Sequence, residues 1–173
     1  MGEIFQRVDC STNYCFDLTV ANNICPLLAG GTVVVYSGEL TDLVQYQHHL
    51  ETNKINFVKT TPSLAVLIEL NNYKLDTLLV GGERLTAPCT EHVYSISERF
   101  FNEYGPTEAT VGSTVTRVSN SEQLHIGSAF PNVKLYVLNE KMQPVPTGSI
   151  GELYIGGAGV ARGYWNRPEL TTS

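Results

Sequence analysis

Between Val20 and Tyr104, short apolar runs alternate with segments of helical period, and this alternation constrains the fold more than any single residue does. Val20, Ile24, Leu27 and Leu28 recur at helical spacing, and Gly30-Gly31 follows where a helix end favours a residue that tolerates positive φ. The run TVVVY then reads as a strand. Leu43, Val44, Tyr46, Gln47 and Leu50 share one face of a helix beginning at Asp42, Asn53 breaks the pattern, and INFVKTT reads as the next strand. Pro62 and Ser63 open a predicted helix over SLAVLIEL, TLLVGG is a third strand ending at a double glycine, and FFNEY is a fourth. Strands and helices in this order predict an α/β layer, a mainly parallel sheet flanked by helices that gathers ligands beyond the carboxyl ends of its strands. The segments ending at Lys59, Gly81-Gly82 and Glu103-Tyr104 are thereby expected at one edge.

After about Val118 the texture changes. VKLYVLN and GELYIGG are strand-like, turn residues separate them, and no convincing helix follows. The expected organisation is an α/β unit over residues 1–118 and a smaller, β-rich, barrel-like unit over 119–173, starting in earnest near Leu124 and incomplete where RGYWNRPELTTS ends. A chain of 173 residues with 42% hydrophobic content has the size of one domain, or of one domain and part of another.

The net charge of −6, with only 11 Lys and Arg, provides no basic stripe for a phosphate backbone, so nucleic acid is not an expected partner. No apolar run approaches the roughly 18 to 20 residues of a membrane span, and MGEIFQRVD lacks a signal-peptide core, so a cytosolic protein is expected. Cys10, Cys15, Cys25 and Cys89 form no CxxC pair and have no histidine at zinc spacing, which points to reduced, structural thiols.

Several residues carry chemistry beyond a fold. In NEYGPTEATVG (Asn102–Gly112), Thr107 offers a hydroxyl to a phosphate oxygen and Glu108 a hard oxygen ligand for Mg²⁺. The GGER turn (Gly81–Arg84) lets backbone approach a flat ligand, although by itself it reads as a tight strand-to-helix connection. Asp17, just before a helix, reads by itself as an N-cap. Lys59 ends an apolar strand, where a lysine must reach water or meet an acid. GGAGVARG (Gly156–Gly163) lacks GxGxxG spacing and lies in β-like sequence, so it is not read as a dinucleotide fingerprint.

FDLTVANNICPLLAGG, TTPS, LLVGGERL, NEYGPTEATV and IGELYIGGAGVARGYWNRPELT, in this order, resemble the adenylation domain of nonribosomal peptide synthetases, within the adenylate-forming superfamily. The resemblance covers nearly the whole chain. It implies activation of a carboxylate with ATP and Mg²⁺ to an aminoacyl-adenylate and pyrophosphate, then transfer to the phosphopantetheine thiol of a partner carrier domain among other synthetase modules. Whether a helper protein takes part is left open. It further implies that Asp17 holds the substrate's α-ammonium and that Gly81, Gly82 and Glu83 pack backbone against adenine. Asn102 would bond the adenine amino group, Tyr104 stack on the ring, Thr107 touch the α-phosphate and Glu108 bind Mg²⁺, with Thr107 and Glu108 as the catalytic pair.

The family's pocket positions fall on Asp17, Leu18, Ala21, Lys59, Leu79, Gly81, Glu103, Val111 and Gly112. Lysine is all donor and a carboxylate all acceptor, so Lys59 and Glu103 together complement a primary carboxamide. The set resembles an asparagine-selecting pocket, departing at Ala21, where the family has threonine. Aspartate would place a second carboxylate beside Glu103. Glutamine differs by one methylene, which decides only about 1–3 kcal/mol, so it stays open beside asparagine.

The family's phosphate loop, ribose-binding TGD segment and C-terminal lysine have no counterpart here, and the expectation is a fragment inactive on its own. The rival readings are a non-catalytic folded module and an acyl-CoA ligase, the latter having no need of Asp17.

Overall fold

The computed structural model describes residues 4–119 and 124–172, so the predicted change of texture after Val118 runs across four residues, 120–123, outside the described set. Among the described residues the apolar runs form one sheet: β1 (Arg7–Cys10), β2 (Thr32–Val35), β3 (Phe57–Thr60), β4 (Leu75–Val80), β5 (Ser97–Tyr104), β6 (Thr114–Arg117) and β7 (Ser128–Ala129). Their order is β2-β1-β3-β4-β5-β6-β7; β1 to β5 pair in parallel, and β6 and β7 add on antiparallel. Helices α1 (Leu18–Leu28), α2 (Leu43–Thr52), α3 (Pro62–Ala65) and α4 (Ala87–Ile96) connect the parallel strands. The expected α/β sheet is therefore present. Every residue of β3 is buried, as a strand covered on both faces requires, and this burial carries Lys59 inside with its neighbours.

Tyr46 and Leu50 of α2 and Cys89, Val93 and Ile96 of α4 pack with Val58, Leu78, Val80 and Phe100 of the strands to form the core. The start of α2 is capped as its sequence predicts, the Asp42 carboxylate accepting from Gln45 N at 3.0 Å. The end of α1 is equally regular. Gly30 adopts φ 75°, Gly31 N donates to Pro26 O at 2.7 Å and Gly30 N to Leu27 O at 3.3 Å, the paired bonds of a left-handed helix stop.

Four local expectations change. First, the apolar stripe of α1 (Val20, Ile24, Leu27, Leu28) is exposed, and the buried positions are Thr19, Asn22 and Pro26. The helix forms where periodicity places it but lays its small and polar side on the sheet, where Asn22 Nδ2 reaches Lys59 O at 3.5 Å. On α2, Val44 likewise points to solvent. Second, α3 is one turn rather than all of SLAVLIEL: Leu67 N bonds Leu64 O and Ile68 N bonds Ala65 O, the chain tightens to i→i+3, and Ile68 turns into the core. Third, β1 is a strand despite Arg7 and Asp9. Asp9 is buried because Tyr46 Oη (2.8 Å) and Ser11 Oγ (2.5 Å) both donate to it, and burial beside this carboxylate pushes the Tyr46 phenol well above its ordinary pKa. Fourth, α4 fills a stretch the strand signals left blank.

Past the sheet, β8 (Val133–Leu138) and β9 (Glu152–Gly157) pair antiparallel as a separate two-stranded sheet, with Leu135 opposite Ile155, the smaller β unit that the texture predicts. A single-turn helix, α5 (Pro168–Thr171), follows where the sequence indicates none. No helix among the described residues is long and apolar enough to cross a membrane. Cys10, Cys15, Cys25 and Cys89 are free thiols.

Candidate functional site

The carboxyl ends of β3, β4 and β5 lie side by side, with Thr60 opposite Val80 and Val80 opposite Asn102. This register puts Lys59 and Glu103 on either side of β4, and Lys59 Nζ lies 2.5 Å from Glu103 Oε2. The side chains are 1% and 11% exposed. The contact is a close ion pair that buries the Lys59 ammonium against the Glu103 carboxylate. Removing one member of such a pair strands the other, at a cost of about 3–5 kcal/mol when both are fully buried.

Two glycines make room for the Glu103 side chain. A Cβ on Gly81 would stand 3.0 Å from Glu103 O and 3.7 Å from Oε2, and one on Gly112 would fall 2.5 Å from Glu103 Oε1 and 2.9 Å from Phe130 Cε2. Gly112→Ala is therefore expected to drive the Glu103 carboxylate off Lys59, and a crystal structure of the variant would show the two side chains separated.

The loop after β5 is held under strain. Thr107–Ala109 forms a 3-10 turn, then Thr110 (φ 60°) and Val111 (φ 68°) both adopt left-handed backbone, which β-branched residues disfavour. Gly112 N bonds Thr110 O at 2.9 Å and Ser113 N bonds Tyr104 O at 2.8 Å, so the loop is pinned at its return. Val111 is thereby carried to a cavity of about 40 Å³ shared with Asp17, Leu18, Lys59, Gly82, Glu103 and Gly105. Asp17 occupies the N-cap position of α1, yet its backbone is helical (φ −62°, ψ −24°) and its carboxylate makes no cap bond. Ala21 and Leu79 are half-buried, Gly81 and Gly112 stand against Glu103, and none of the four lines the cavity.

A second, larger cavity of about 560 Å³ adjoins the first, sharing Gly82, Glu103 and Gly105 with it. Gly82 (φ 79°), Glu83, Asn102 and Tyr104 line it, as do residues not anticipated: Arg84, Leu85, Pro106, Leu124, His125 and Ile126. Asn102 Nδ2 donates to His125 O at 3.0 Å, so the amide's acceptor is its Oδ1. His125 Nδ1 accepts from Gly127 N at 3.0 Å, so in its neutral form the ring presents Nε2–H. The Glu83 carboxylate is spent on Ser63, accepting from its N (3.0 Å) and Oγ (2.5 Å) at the start of α3. Leu124 to Ile126 escaped the sequence because they precede the second sheet and carry no motif.

Thr107 and Glu108 line neither cavity and stand exposed on the 3-10 turn beside them. Tyr164 Oη donates to Glu108 Oε1, and this bond, with a backbone bond, holds the Glu108 carboxyl below the usual carboxylate range. Among the described residues no cluster of three or more His, Cys, Asp or Glu could hold a metal by itself. One ionised, accessible carboxylate fits Mg²⁺, which is commonly held by one or two protein carboxylates together with substrate phosphates.

Residues 5–165 match the family described as AMP-binding enzyme. The chain is 43% identical over 167 residues to tyrocidine synthase 3 of Brevibacillus parabrevis, covering 90% of this chain and 2% of that protein. It is 38% identical over 170 residues to bacitracin synthase 3 of Bacillus licheniformis, covering 91% and 3%. It therefore spans only a small part of these relatives' length. Among solved structures it superposes on holo-AB3403, a four-domain nonribosomal peptide synthetase bound to AMP and glycine, with TM-score 0.90 and 37% identity over 96% of this chain and 13% of that one. The N-terminal subdomain of Klebsiella oxytoca NpsA in complex with anthranilyl-AMSN gives TM-score 0.83 and 25% identity over 96% and 44%.

Proposed function

The chain belongs to the family of AMP-binding enzymes, and on that premise we propose that it activates an amino acid, best fitted by L-asparagine, with MgATP to aminoacyl-AMP. The acyl group then passes to the phosphopantetheine thiol of a carrier domain. One observation carries this reading: an Asp17 carboxylate unused as a helix cap opens on the same small cavity as the Lys59–Glu103 pair.

In the activation step a carboxylate oxygen of the substrate bonds the α-phosphorus of ATP, the α–β phosphoanhydride bond breaks, and pyrophosphate leaves. Asp17 pairs the α-ammonium, which needs an anion once it leaves water. Lys59 donates to the side-chain carbonyl and Glu103 accepts from the amide NH₂, the two opening around a group that satisfies both. Asn102 Oδ1 accepts from the adenine amino group, Tyr104 stacks on the ring, and Gly82, backed by Gly81 and Glu83, lets backbone lie against it. Thr107 donates to the α-phosphate where negative charge builds. Glu108 would hold Mg²⁺, which supplies charge neutralisation on the phosphates.

Amino-acid-dependent ATP–pyrophosphate exchange on the full-length protein tests the reading. Asparagine is expected to give the strongest exchange and aspartate at least tenfold less, a gap of about 1.4 kcal/mol. Equal rates for all amino acids would overturn the pocket assignment. Succinamic acid, an asparagine without its α-ammonium, separates this reading from an acyl-CoA ligase: strong exchange with it would favour the ligase.

A further inference from the structure

The segment Gly157–Tyr164, which overlaps the GGAGVARG run (Gly156–Gly163) that the sequence sets aside as a phosphate loop, returns from β9 to the 3-10 turn and grips three consecutive residues. Thr110 Oγ1 donates to Gly159 O at 2.6 Å, Ala161 N donates to Glu108 O at 2.7 Å, and Tyr164 Oη donates to Glu108 Oε1. A Cβ on Gly159 would stand 3.1 Å from Ala109 O, so the glycine permits this approach of backbone to backbone. Tyr164 is itself braced, its N donating to Thr171 Oγ1 of α5 at 3.0 Å while that hydroxyl donates to Arg167 O at 3.1 Å.

We propose that Gly157–Tyr164 is a clamp on the metal-binding turn, in which Tyr164 is a positioning residue that fixes the Glu108 carboxylate for the metal–phosphate group. The geometry is specific to Glu108: the clamp holds both its main chain and its side chain, from residues more than fifty positions away. An exposed glutamate samples many rotamers and binds a cation only from a few. A phenol on Oε1, itself fixed through α5, selects one of them and leaves Oε2 to the ligand. The proposal rests on the reading of Glu108 as the magnesium carboxylate.

The test is ATP binding to the full-length protein, followed calorimetrically against Mg²⁺ concentration, for wild type, Tyr164→Phe, Thr110→Val and Glu108→Gln. Tyr164→Phe keeps the ring and is expected to raise the Mg²⁺ concentration for half-maximal binding roughly three- to tenfold, as loss of one hydrogen bond allows. ATP affinity in EDTA and the thermal midpoint of the free protein should not move. Thr110→Val, which releases the Gly159 anchor, should shift the Mg²⁺ requirement in the same direction, and it decides the matter if Tyr164→Phe proves unstable. An unchanged Mg²⁺ requirement in both, or an equal loss of affinity in EDTA, overturns the clamp. If Glu108→Gln also binds MgATP as wild type does, the metal reading has failed; if only that variant raises the requirement, the clamp alone has failed.

Discussion

Asp17→Ala is expected to lower asparagine-dependent pyrophosphate exchange by roughly 30- to 3,000-fold, the range for truncating one partner of a buried, hydrogen-bonded charge pair. The loss should fall mainly on the amino-acid KM and leave ATP binding unchanged. Protein stability should barely change, because the Asp17 carboxylate makes no cap bond to lose. Asp42 provides the internal standard, since it does cap α2: Asp42→Ala should cost about 1 kcal/mol in urea denaturation and leave exchange intact. If Asp17→Ala instead destabilises like Asp42→Ala while exchange persists, Asp17 is a capping residue and the ammonium assignment is wrong.

The second large effect is expected at Glu103. Glu103→Gln leaves the Lys59 ammonium, 1% exposed, without its anion, and the free protein should lose up to about 3–5 kcal/mol. Selectivity should change as well. With the carboxylate gone, like-charge repulsion against aspartate disappears and the substrate's own carboxylate can pair Lys59. The ratio of aspartate- to asparagine-dependent exchange should therefore rise at least tenfold, about 1.4 kcal/mol of relative transition-state binding. Lys59→Met should show no such gain. A ratio that stays at its wild-type value in Glu103→Gln would remove Glu103 from the side-chain pocket, whatever the stability data show.

Much of the sheet was legible because burial writes a local period into the chain. The runs that became β2, β3, β4 and β5 stood out by short apolar cores, VVV, FV, LLV and FF, and the stop of α1 at Gly30 followed from one backbone requirement. β1 was illegible because Arg7 and Asp9 interrupt it, and the partners that make Asp9 tolerable there, Tyr46 above all, lie far along the chain. The face of α1 was misjudged for a related reason. Periodicity reports which residues share a side of a helix, whereas which side meets the sheet depends on the connection; here Thr19, Asn22 and Pro26 are turned inward.

By itself the sequence determined the α/β layer, the chain edge at which Lys59, Gly81-Gly82 and Glu103 gather, and the turn carrying Thr107 and Glu108, all of which follow from local pattern and motif. Only the tertiary structure decided that Lys59 and Glu103 touch, that Gly81 and Gly112 make room for the Glu103 side chain, that the Asp17 carboxylate is not engaged as a cap, and that GGAGVARGY bonds to the turn carrying Glu108. The physical reason is common to the contacts among them, the missing Asp17 cap being a local matter of helical backbone at that residue. Each is a contact between segments remote in sequence, created by parallel strand order and loop return, and no period within either segment records where its partner lies.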